Sequence, residues 1–271
     1  AVLWRGEFFG GSMKKEAERQ ADSVIFEGMT SFRAVIRSSV PDARKITRLM
    51  FDRAKERSKA RELSFIRRMS AERGFEVVMC GADEINALAT GTSHGGIIFE
   101  CTERTIPTLC AGNIVGRDDG ISDFFIMLDG IEDPYNFGYA LRSVYAAGAA
   151  GVILPGRNWM SAAGVVCRSS AGASELLPMY TADSADACRI FHDAGYRVVC
   201  AGIRDSVPVW DAPLTPPLLL IVGGEKRGIS AGVLEMADEI VRLDYGRDFS
   251  GSLSAASAAS IIAYEVLRQN R

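Results

Sequence analysis

The 271-residue sequence predicts an α/β protein in two domains: a small α/β sandwich, then a larger domain built on a mostly parallel sheet. Three observations predict it. Short apolar segments alternate with helically spaced segments along most of the chain. In the second half the apolar segments at 124–128, 151–154, 197–201 and 218–222 are continuous, the pattern of strands buried on both faces. The length exceeds the ~100–150 residues of a typical single domain.

The opening segment AVLWRGEFFGGS does not resemble the rest of the chain, so residues 1–12 are read as a cloning remnant and set aside. The first domain is placed at 13–107. It has strands at 24–27, 46–51, 75–79 and 96–100, with helices at 29–38, 60–73 and 82–89. Within 60–73, Leu63, Ile66 and Met69 recur at helical spacing and form a buried stripe. Residues 108–122 carry Gly112, Gly116 and the Asp118-Asp119-Gly120 turn signal, and read as a linker. The second domain spans 123–271. Its opening strand leads into a loop at 129–136 and a helix at 138–147. Helices at 183–194 and 231–237, a strand at 240–243, and a long Ala/Ser-rich helix from about Ser252 accompany the remaining strands.

Composition bounds the function. A hydrophobic content of 48 % gives each half a core and excludes disorder. The six cysteines (Cys80, Cys101, Cys110, Cys167, Cys188, Cys200) show no C-x-x-C spacing and read as buried thiols of a reducing compartment. No signal peptide and no apolar run of ~20 residues is seen, so a cytoplasmic protein with no membrane partner is expected. The net charge of −3 excludes a globally basic nucleic-acid binder, but 44–73 holds eleven Lys/Arg against four Asp/Glu. Such a run is either a solvated helix face or a phosphate footprint.

Several chemistries are excluded. Gly223-Gly-Glu-Lys-Arg-Gly228-Ile-Ser230 has the G-x-x-x-x-G frame of a phosphate loop but lacks the lysine after its second glycine. No G-x-G-x-x-G comes after an early strand, and G-x-S-x-G and H-E-x-x-H are absent. His94 and His192 are the only histidines, which disfavours a His-based nucleophile triad. No metal site is expected.

Three segments together carry a resemblance. They are Leu128-Asp-Gly-Ile-Glu-Asp-Pro-Tyr-Asn136-Phe-Gly138-Tyr-Ala-Leu-Arg142, Leu220-Ile-Val-Gly223-Gly224-Glu225-Lys-Arg-Gly228-Ile, and Leu243-Asp-Tyr-Gly246 with the later Ser252-Leu253-Ser254-Ala-Ala-Ser257. In this order they resemble the motifs of the SpoU (TrmH-type) RNA ribose 2′-O-methyltransferases of the SPOUT superfamily. The motifs are N-x-G-x-x-x-R after a strand ending in Asp, G-x-E with a subsequent glycine turn, and I-P-M-x-G … S-L-N-x-S-x-A. Ser170-Ala-Gly172-Ala173 is also similar. The third motif departs from the pattern: I-P-M is Leu243-Asp244-Tyr245, the loop to Ser252 is one residue longer, and the Asn after S-L is Ser254. Serine keeps one hydrogen-bonding group and loses the second function of the amide. Val24–Gly28 and Thr92-Ser-His94-Gly-Gly-Ile97 resemble the ribosomal-protein-like α/β domain that precedes the catalytic domain in many such enzymes.

The resemblance implies S-adenosylmethionine as cofactor, RNA as substrate with rRNA ahead of tRNA, a trefoil knot in the second domain, and a homodimer with the site near its interface. It implies Arg142, Asn136, Glu225 and Ser252 as catalytic residues. Gly202, Gly223, Gly224, Gly228, Leu243, Leu253 and Ser254 are the implied cofactor contacts. Arg53, Lys55, Arg57, Lys59, Arg61 and His94 are the implied RNA contacts.

Each residue also has a plainer reading. Arg142 is a planar fork suited to a phosphate and a neighbouring oxygen, or an ordinary helix-surface charge. Asn136 positions substrate, caps a helix, or does both. Glu225 serves the site or satisfies loop N–H groups. The glycines of 223–228 let backbone approach a ligand. Ser252, Ser254 and Ser257 serve the site or act as caps and small packing residues. His94 is structural or lies near RNA. The rivals to an RNA 2′-O-methyltransferase are a non-catalytic RNA-binding protein that retains the knotted fold, a methyltransferase acting on a base, and a nucleotide-binding protein unrelated to RNA.

Overall fold

Each strand of the second half sends its side chains alternately to two cores, and this arrangement explains the unbroken apolar runs. Phe124, Ile126 and Leu128 pack into one core, while Phe125 and Met127 pack into the other. Leu218, Leu220 and Val222 divide from Leu219 and Ile221 in the same way.

The computed structural model describes residues 23–114, 123–156 and 162–271. The opening segment 1–12 and most of the expected linker, including Gly116 and Asp118-Asp119-Gly120, lie outside the described residues. The chain divides into two compact units. One takes Arg44–Arg104 with the segment up to Phe32, and the other takes Thr105–Arg271 with Arg33–Ala43.

The first unit is built on a four-stranded sheet in the order β1-β4-β2-β3. Its strands are β1 (Ser23–Glu27), β2 (Ile46–Asp52), β3 (Glu76–Cys80) and β4 (Ile97–Thr102). β4 is antiparallel to both β1 and β2, and β3 runs parallel to β2. Its helices are α1 (Gly28–Arg37), which begins in this unit, α2 (Ala60–Arg73) and α3 (Ala82–Leu88). Leu63, Ile66 and Met69 of α2 are buried, as their spacing predicts. Phe32 meets Phe99 edge-on at 5.7 Å and Phe75 at 6.0 Å, contacts that add to plain area burial.

The second unit holds a seven-stranded, all-parallel sheet in the order β7-β6-β5-β10-β8-β11-β9. The strands are β5 (Phe124–Asp129), β6 (Gly151–Leu154), β7 (Met179–Thr181), β8 (Arg197–Ala201), β9 (Val207–Pro208), β10 (Leu218–Gly223) and β11 (Glu239–Arg242). One face is covered by α4 (Pro134–Ala146), α5 (Ala163–Ser169) and the C-terminal α9 (Ala255–Gln269). The other is covered by α7 (Ser184–Asp193) and α8 (Ala231–Leu234). The short α6 (Ala173–Leu176) comes directly after α5.

Some boundaries differ from expectation for local reasons. α4 starts at Pro134, one turn before the expected Gly138, because Asp133 caps it and proline at the first position costs no hydrogen bond. Gly138 sits inside the helix for packing: a Cβ there would lie 1.9 Å from Ser169 Oγ. α9 starts at Ala255 because Ser254 caps it, its Oγ accepting from the Ser257 N–H at 3.1 Å. The helices α5 and α6 and strand β7 go beyond what the sequence pattern predicts. Five cysteines are buried as expected, and burial raises the thiols of Cys80, Cys188 and Cys200 above the ordinary value, which keeps them inert. Cys110 departs from expectation and is exposed. Among the described residues no helix is long and apolar enough to cross a membrane.

Asp238 ties α7 to β8. Its Oδ2 accepts from the Val198 N–H at 2.7 Å and lies 3.0 Å from His192 Nε2. Burial pushes the carboxyl up, but the Val198 N–H and His192 outweigh burial and hold it below its ordinary value. A lowered carboxylate stabilises the fold above its unfolded pKa of about 4, and that contribution is lost as pH falls through the lower folded value. Asp238→Asn should therefore flatten the acid limb of the stability profile below about pH 4, by under ~1 kcal/mol because the side chain is part-exposed. Denaturant midpoints measured from pH 2 to pH 7 check this.

Candidate active site

The carboxyl ends of parallel strands are where α/β sheets bind ligands, in the crevice left between connections that diverge. In this sheet the ends of β5, β10, β8 and β11 are neighbours and lie in register, with Gly223 opposite Asp129 and Val241 opposite Ala201. The chain leaves these four ends through Gly130, Gly224, Gly202 and Leu243. Segments up to about 110 residues apart in sequence thus meet along one edge.

The turn after β10 is pressed onto the loop after β5. The Gly224 N–H donates to the Asp129 carbonyl at 2.5 Å, and a Cβ on Gly224 would lie 2.2 Å from the Gly130 carbonyl oxygen. A Cβ on Gly223 would come within 2.7 Å of the Gly228 and Ile229 backbone. Backbone against backbone cannot yield as a flexible side chain can. Gly224→Ala should cost about 1–3 kcal/mol of stability, the scale of overpacking, read as a lower denaturant midpoint at unchanged slope.

Two adjoining clefts open here. One of about 390 Å³ is lined by Gly130, Ile131, Glu132, Asp133, Pro134, Asn136, Glu225, Lys226 and Ala255. The other, about 420 Å³, shares Gly130, Glu132 and Lys226 and reaches Asp129, Gly156, Gly224, Arg227, Gly228 and Ser230. Both fall in the range of small-molecule sites. Lys226 Nζ grips Glu132 Oε2 at 2.7 Å and joins the two loops across their shared wall. Asp129 Oδ2 accepts from Ser184 Oγ at 3.0 Å, which anchors the end of β5 to the start of α7. Sequence reasoning missed Gly130, Glu132 and Lys226 as parts of the site. Lys226 and Glu132 are 94 residues apart, so nothing local signals the pair.

The expected catalytic residues divide. Asn136 and Glu225 line the same cleft. Asn136 is not the cap of α4: its N–H donates to Asp133 Oδ1 at 2.8 Å, so Asp133 caps and the Asn136 side chain is left to the cleft. Ser252 is exposed on the loop that precedes α9. Arg142 is also exposed, and it lies six residues beyond Asn136. Six residues leave Arg142 about 120° around the helix from Asn136, so the two side chains leave α4 in different directions. Arg142 shares the outer face of α4 with the exposed Tyr139 and Tyr145 and does not line either cleft.

The expected cofactor residues converge more closely. Gly224 and Gly228 line the second cleft, while Gly223 ends β10 and is packed against the Gly228 and Ile229 backbone. Gly202 and Leu243 stand at the neighbouring strand ends, where the Gly202 N–H donates to the Val241 carbonyl at 2.9 Å. Leu253 and Ser254 lead into Ala255, which lines the first cleft. The Ser254 hydroxyl is engaged as the cap of α9 and its carbonyl accepts from the Ala258 N–H at 2.9 Å, so its own N–H is the group offered to a ligand. The Leu253 N–H donates to the Tyr245 hydroxyl at 3.2 Å.

In the first unit, the basic segment around Lys55 and Lys59 meets the His94-Gly95-Gly96 turn about forty residues later. A Cβ on Gly95 would lie 2.8 Å from Lys59 Nζ, and one on Gly96 would lie 2.8 Å from Lys55 Cδ. The Asp52 N–H donates to the Gly96 carbonyl at 2.9 Å, and His94 Nδ1 accepts from the Gly96 N–H at 3.1 Å. Lys55, Lys59 and His94 therefore share one surface, with Arg57 and Arg61 exposed beside the lysines. Arg53 has a structural task, since its Nη2 donates to the Met79 carbonyl at 2.9 Å and ties β2 to β3.

The profile of the SpoU rRNA Methylase family matches residues 123–264, the stretch that holds this parallel sheet and its glycine turns, and the chain belongs to that family. It is similar to an uncharacterized tRNA/rRNA methyltransferase of Mycolicibacterium gilvum (strain PYR-GCK), 29 % identical over 204 residues. That match covers 75 % of this chain and 65 % of the relative, so the chain spans slightly less than two thirds of the relative's length. It is also similar to a 23S rRNA (guanosine-2′-O-)-methyltransferase RlmB of Burkholderia sp, 29 % identical over 218 residues, covering 79 % of this chain and 85 % of that protein. Among solved structures, the fold matches the SpoU methyltransferase AviRb of Streptomyces viridochromogenes in complex with the cofactor AdoMet. The TM-score is 0.72 at 24 % identity, over 94 % of this chain and 93 % of that one.

Proposed function

We propose that this chain transfers a methyl group from S-adenosylmethionine to a ribose 2′-hydroxyl of RNA, with rRNA ahead of tRNA as the substrate. The observation that carries the reading is the meeting of the three motif segments at the ends of β5, β10 and β11, with Asn136 and Glu225 in one cleft and the 223–228 turn in the next. The name of the Burkholderia relative supports the ribose and rRNA assignments.

The residues present fit the cofactor. The clefts have the right size, and the backbone at Gly223, Gly224 and Gly228 is bare of side chains, as a ligand held by main-chain groups requires. Gly202, Leu243, Leu253 and Ser254 would complete its binding through their backbones. S-adenosylmethionine supplies a methyl group on a positively charged sulfur. The chain's own residues supply orientation and charge. Asn136 offers a donor and an acceptor to the 2′-hydroxyl, Glu225 offers an acceptor, and Ser252 a hydroxyl at the rim. Glu132 and Asp133 are engaged by Lys226 and by the start of α4, so Glu225 is the carboxylate of the first cleft assigned to the reaction. Arg142 is assigned to the growing negative charge on the 2′-oxygen or to the adjoining phosphate.

The same reading includes a homodimer. Tyr139 and Tyr145 on α4 and Tyr264 on α9 are 50 %, 40 % and 50 % exposed, on two helices that pack together. A second copy on this face would cover the rings and bring Arg142 to a cleft that its own chain does not offer it. The reading further includes a trefoil knot in the second unit, a ribosomal-protein-like first unit that holds RNA through Lys55, Arg57, Lys59, Arg61 and His94, and a cytoplasmic site of action.

The test is cofactor binding to the full chain. S-adenosylmethionine should raise the melting temperature, and ATP should not. At one hundred times the dissociation constant the gain is about 2.7 kcal/mol. No shift, with no heat of binding by calorimetry, would leave a non-catalytic RNA-binding protein as the better account.

A further inference from the structure

The loop between β11 and α9 carries two exposed aromatic rings that the methyl-transfer site does not use. Tyr245 is 42 % exposed and Phe249 is 55 % exposed. Their centroids are 5.6 Å apart at an interplanar angle of 65°, an edge-to-face pair. Single exposed rings are ordinary on a protein surface, whereas two held in contact present a small apolar platform. This pair is fixed at both ends. The Tyr245 hydroxyl accepts from the Leu253 N–H, and the Phe249 ring lies over Gly251, where a Cβ would meet it at 2.5 Å. The tether leads to the reaction site, because Leu253 is two residues before Ala255, which lines the cleft with Asn136 and Glu225.

A ribose presented for 2′-O-methylation brings its base with it, and the base takes no part in the reaction. The first cleft's lining contains no aromatic ring. We propose that Tyr245 and Phe249 form a stacking shelf for the unpaired nucleobase of the nucleotide being methylated, and so position its ribose over the cleft. The proposal rests on the RNA ribose reading and deepens it. Stacking on aromatic faces suits an unpaired base of any identity and needs no local excess of positive charge. The loop's charges agree: Asp244 is paired with Arg242 at 2.8 Å, and Arg247 and Asp248 offset each other. Both rings are positioning residues that leave cofactor chemistry alone.

The experiment uses the full chain, an RNA containing the mapped acceptor nucleotide, and the same RNA made abasic at that nucleotide. Tyr245→Ala and Phe249→Ala should each raise the RNA KM about five- to hundredfold, the span of losing one base–aromatic stack. S-adenosylmethionine affinity by calorimetry should stay within threefold. Phe249→Tyr keeps the ring and should keep the RNA KM near wild type, whereas Tyr245→Phe keeps the ring but loses the tether to Leu253 and should raise the KM less than Tyr245→Ala does. The abasic RNA should bind the wild type more weakly, and the Ala variants should show little further loss on it. Three results would overturn the shelf while wild-type methylation stands: an unchanged RNA KM in both Ala variants, an equal loss of cofactor affinity, which would make the rings a cofactor lid, or a changed sedimentation mass with normal RNA KM, which would make them a contact between copies. If the wild type binds no S-adenosylmethionine, the reading beneath the proposal fails first.

Discussion

Arg142→Ala should lower single-turnover methyl transfer by about 10²-fold or more, while S-adenosylmethionine affinity stays within about threefold. The first figure is the scale of losing one preorganised electrostatic donor. The second corresponds to less than ~1 kcal/mol of binding. The split comes from position. Arg142 stands on α4 outside both clefts, about 120° around the helix from Asn136, and the glycine turns assigned to the cofactor lie at strand ends. Arg142→Lys should also be slow, because lysine keeps the charge but loses the planar fork. Labelled methyl incorporation at saturating cofactor measures both variants. Near wild-type turnover in Arg142→Ala would remove Arg142 from the reaction, and equal loss of turnover and cofactor binding would indicate a damaged fold. Since the Arg142 face also carries Tyr139 and Tyr145, the loss should persist in a variant whose sedimentation mass is unchanged.

Replacing Lys55, Arg57 and Lys59 together with alanine should flatten the salt dependence of RNA binding. Each phosphate contact steepens the fall of log K with log salt by about 0.7–0.9, so three lost contacts should reduce the slope by about two. At low salt the affinity should fall at least tenfold, because the counterions those contacts release no longer drive binding. The grouping of Lys55 and Lys59 against His94-Gly95-Gly96 motivates the choice. Arg53 is left out because it is committed to the Met79 carbonyl. Titrations at several salt concentrations would show the change. An unchanged slope and affinity would return this stretch to a solvated helix face.

The parts of this fold that are legible in the sequence are those where burial leaves a strong pattern. The runs at β5, β8 and β10 are apolar at every position because two cores claim alternate residues, and such runs stand out. The α2 stripe of Leu63, Ile66 and Met69 stands out for the opposite reason, since one face of that helix is bare to water. The segment holding α5 and α6 has neither pattern. It is short, rich in small residues and broken by Ala171 and Gly172 in the left-handed region, so no period develops. The sequence reading starts α4 at Gly138, one turn after its true start at Pro134, because it assigns 129–136 to the loop. The purpose of Gly138 is contact with Ser169, which no local sequence reveals.

The site is legible where it depends on backbone. Gly223 and Gly224 admit no side chain, and the sequence shows that requirement directly as glycine. It is not legible where it depends on distant partners. The Lys226–Glu132 bridge, between residues 94 apart, is set by how the loop after β5 and the β10 turn meet, whereas the capping of α4 by Asp133 in place of Asn136 is a local contact. The engagement of the Ser254 hydroxyl as a cap also emerges only from the fold.

Nucleoside analysis of RNA after reaction with the purified chain and S-adenosylmethionine carrying a labelled methyl group decides whether the ribose is the acceptor. Digestion to nucleosides and mass spectrometry separate a methyl on ribose from a methyl on a base. The account predicts label in a 2′-O-methylnucleoside, with a dinucleotide resistant to alkali at the modified position and loss of the signal in Arg142→Ala. Label confined to a methylated base, or no label in RNA from a protein that binds the cofactor, would contradict it.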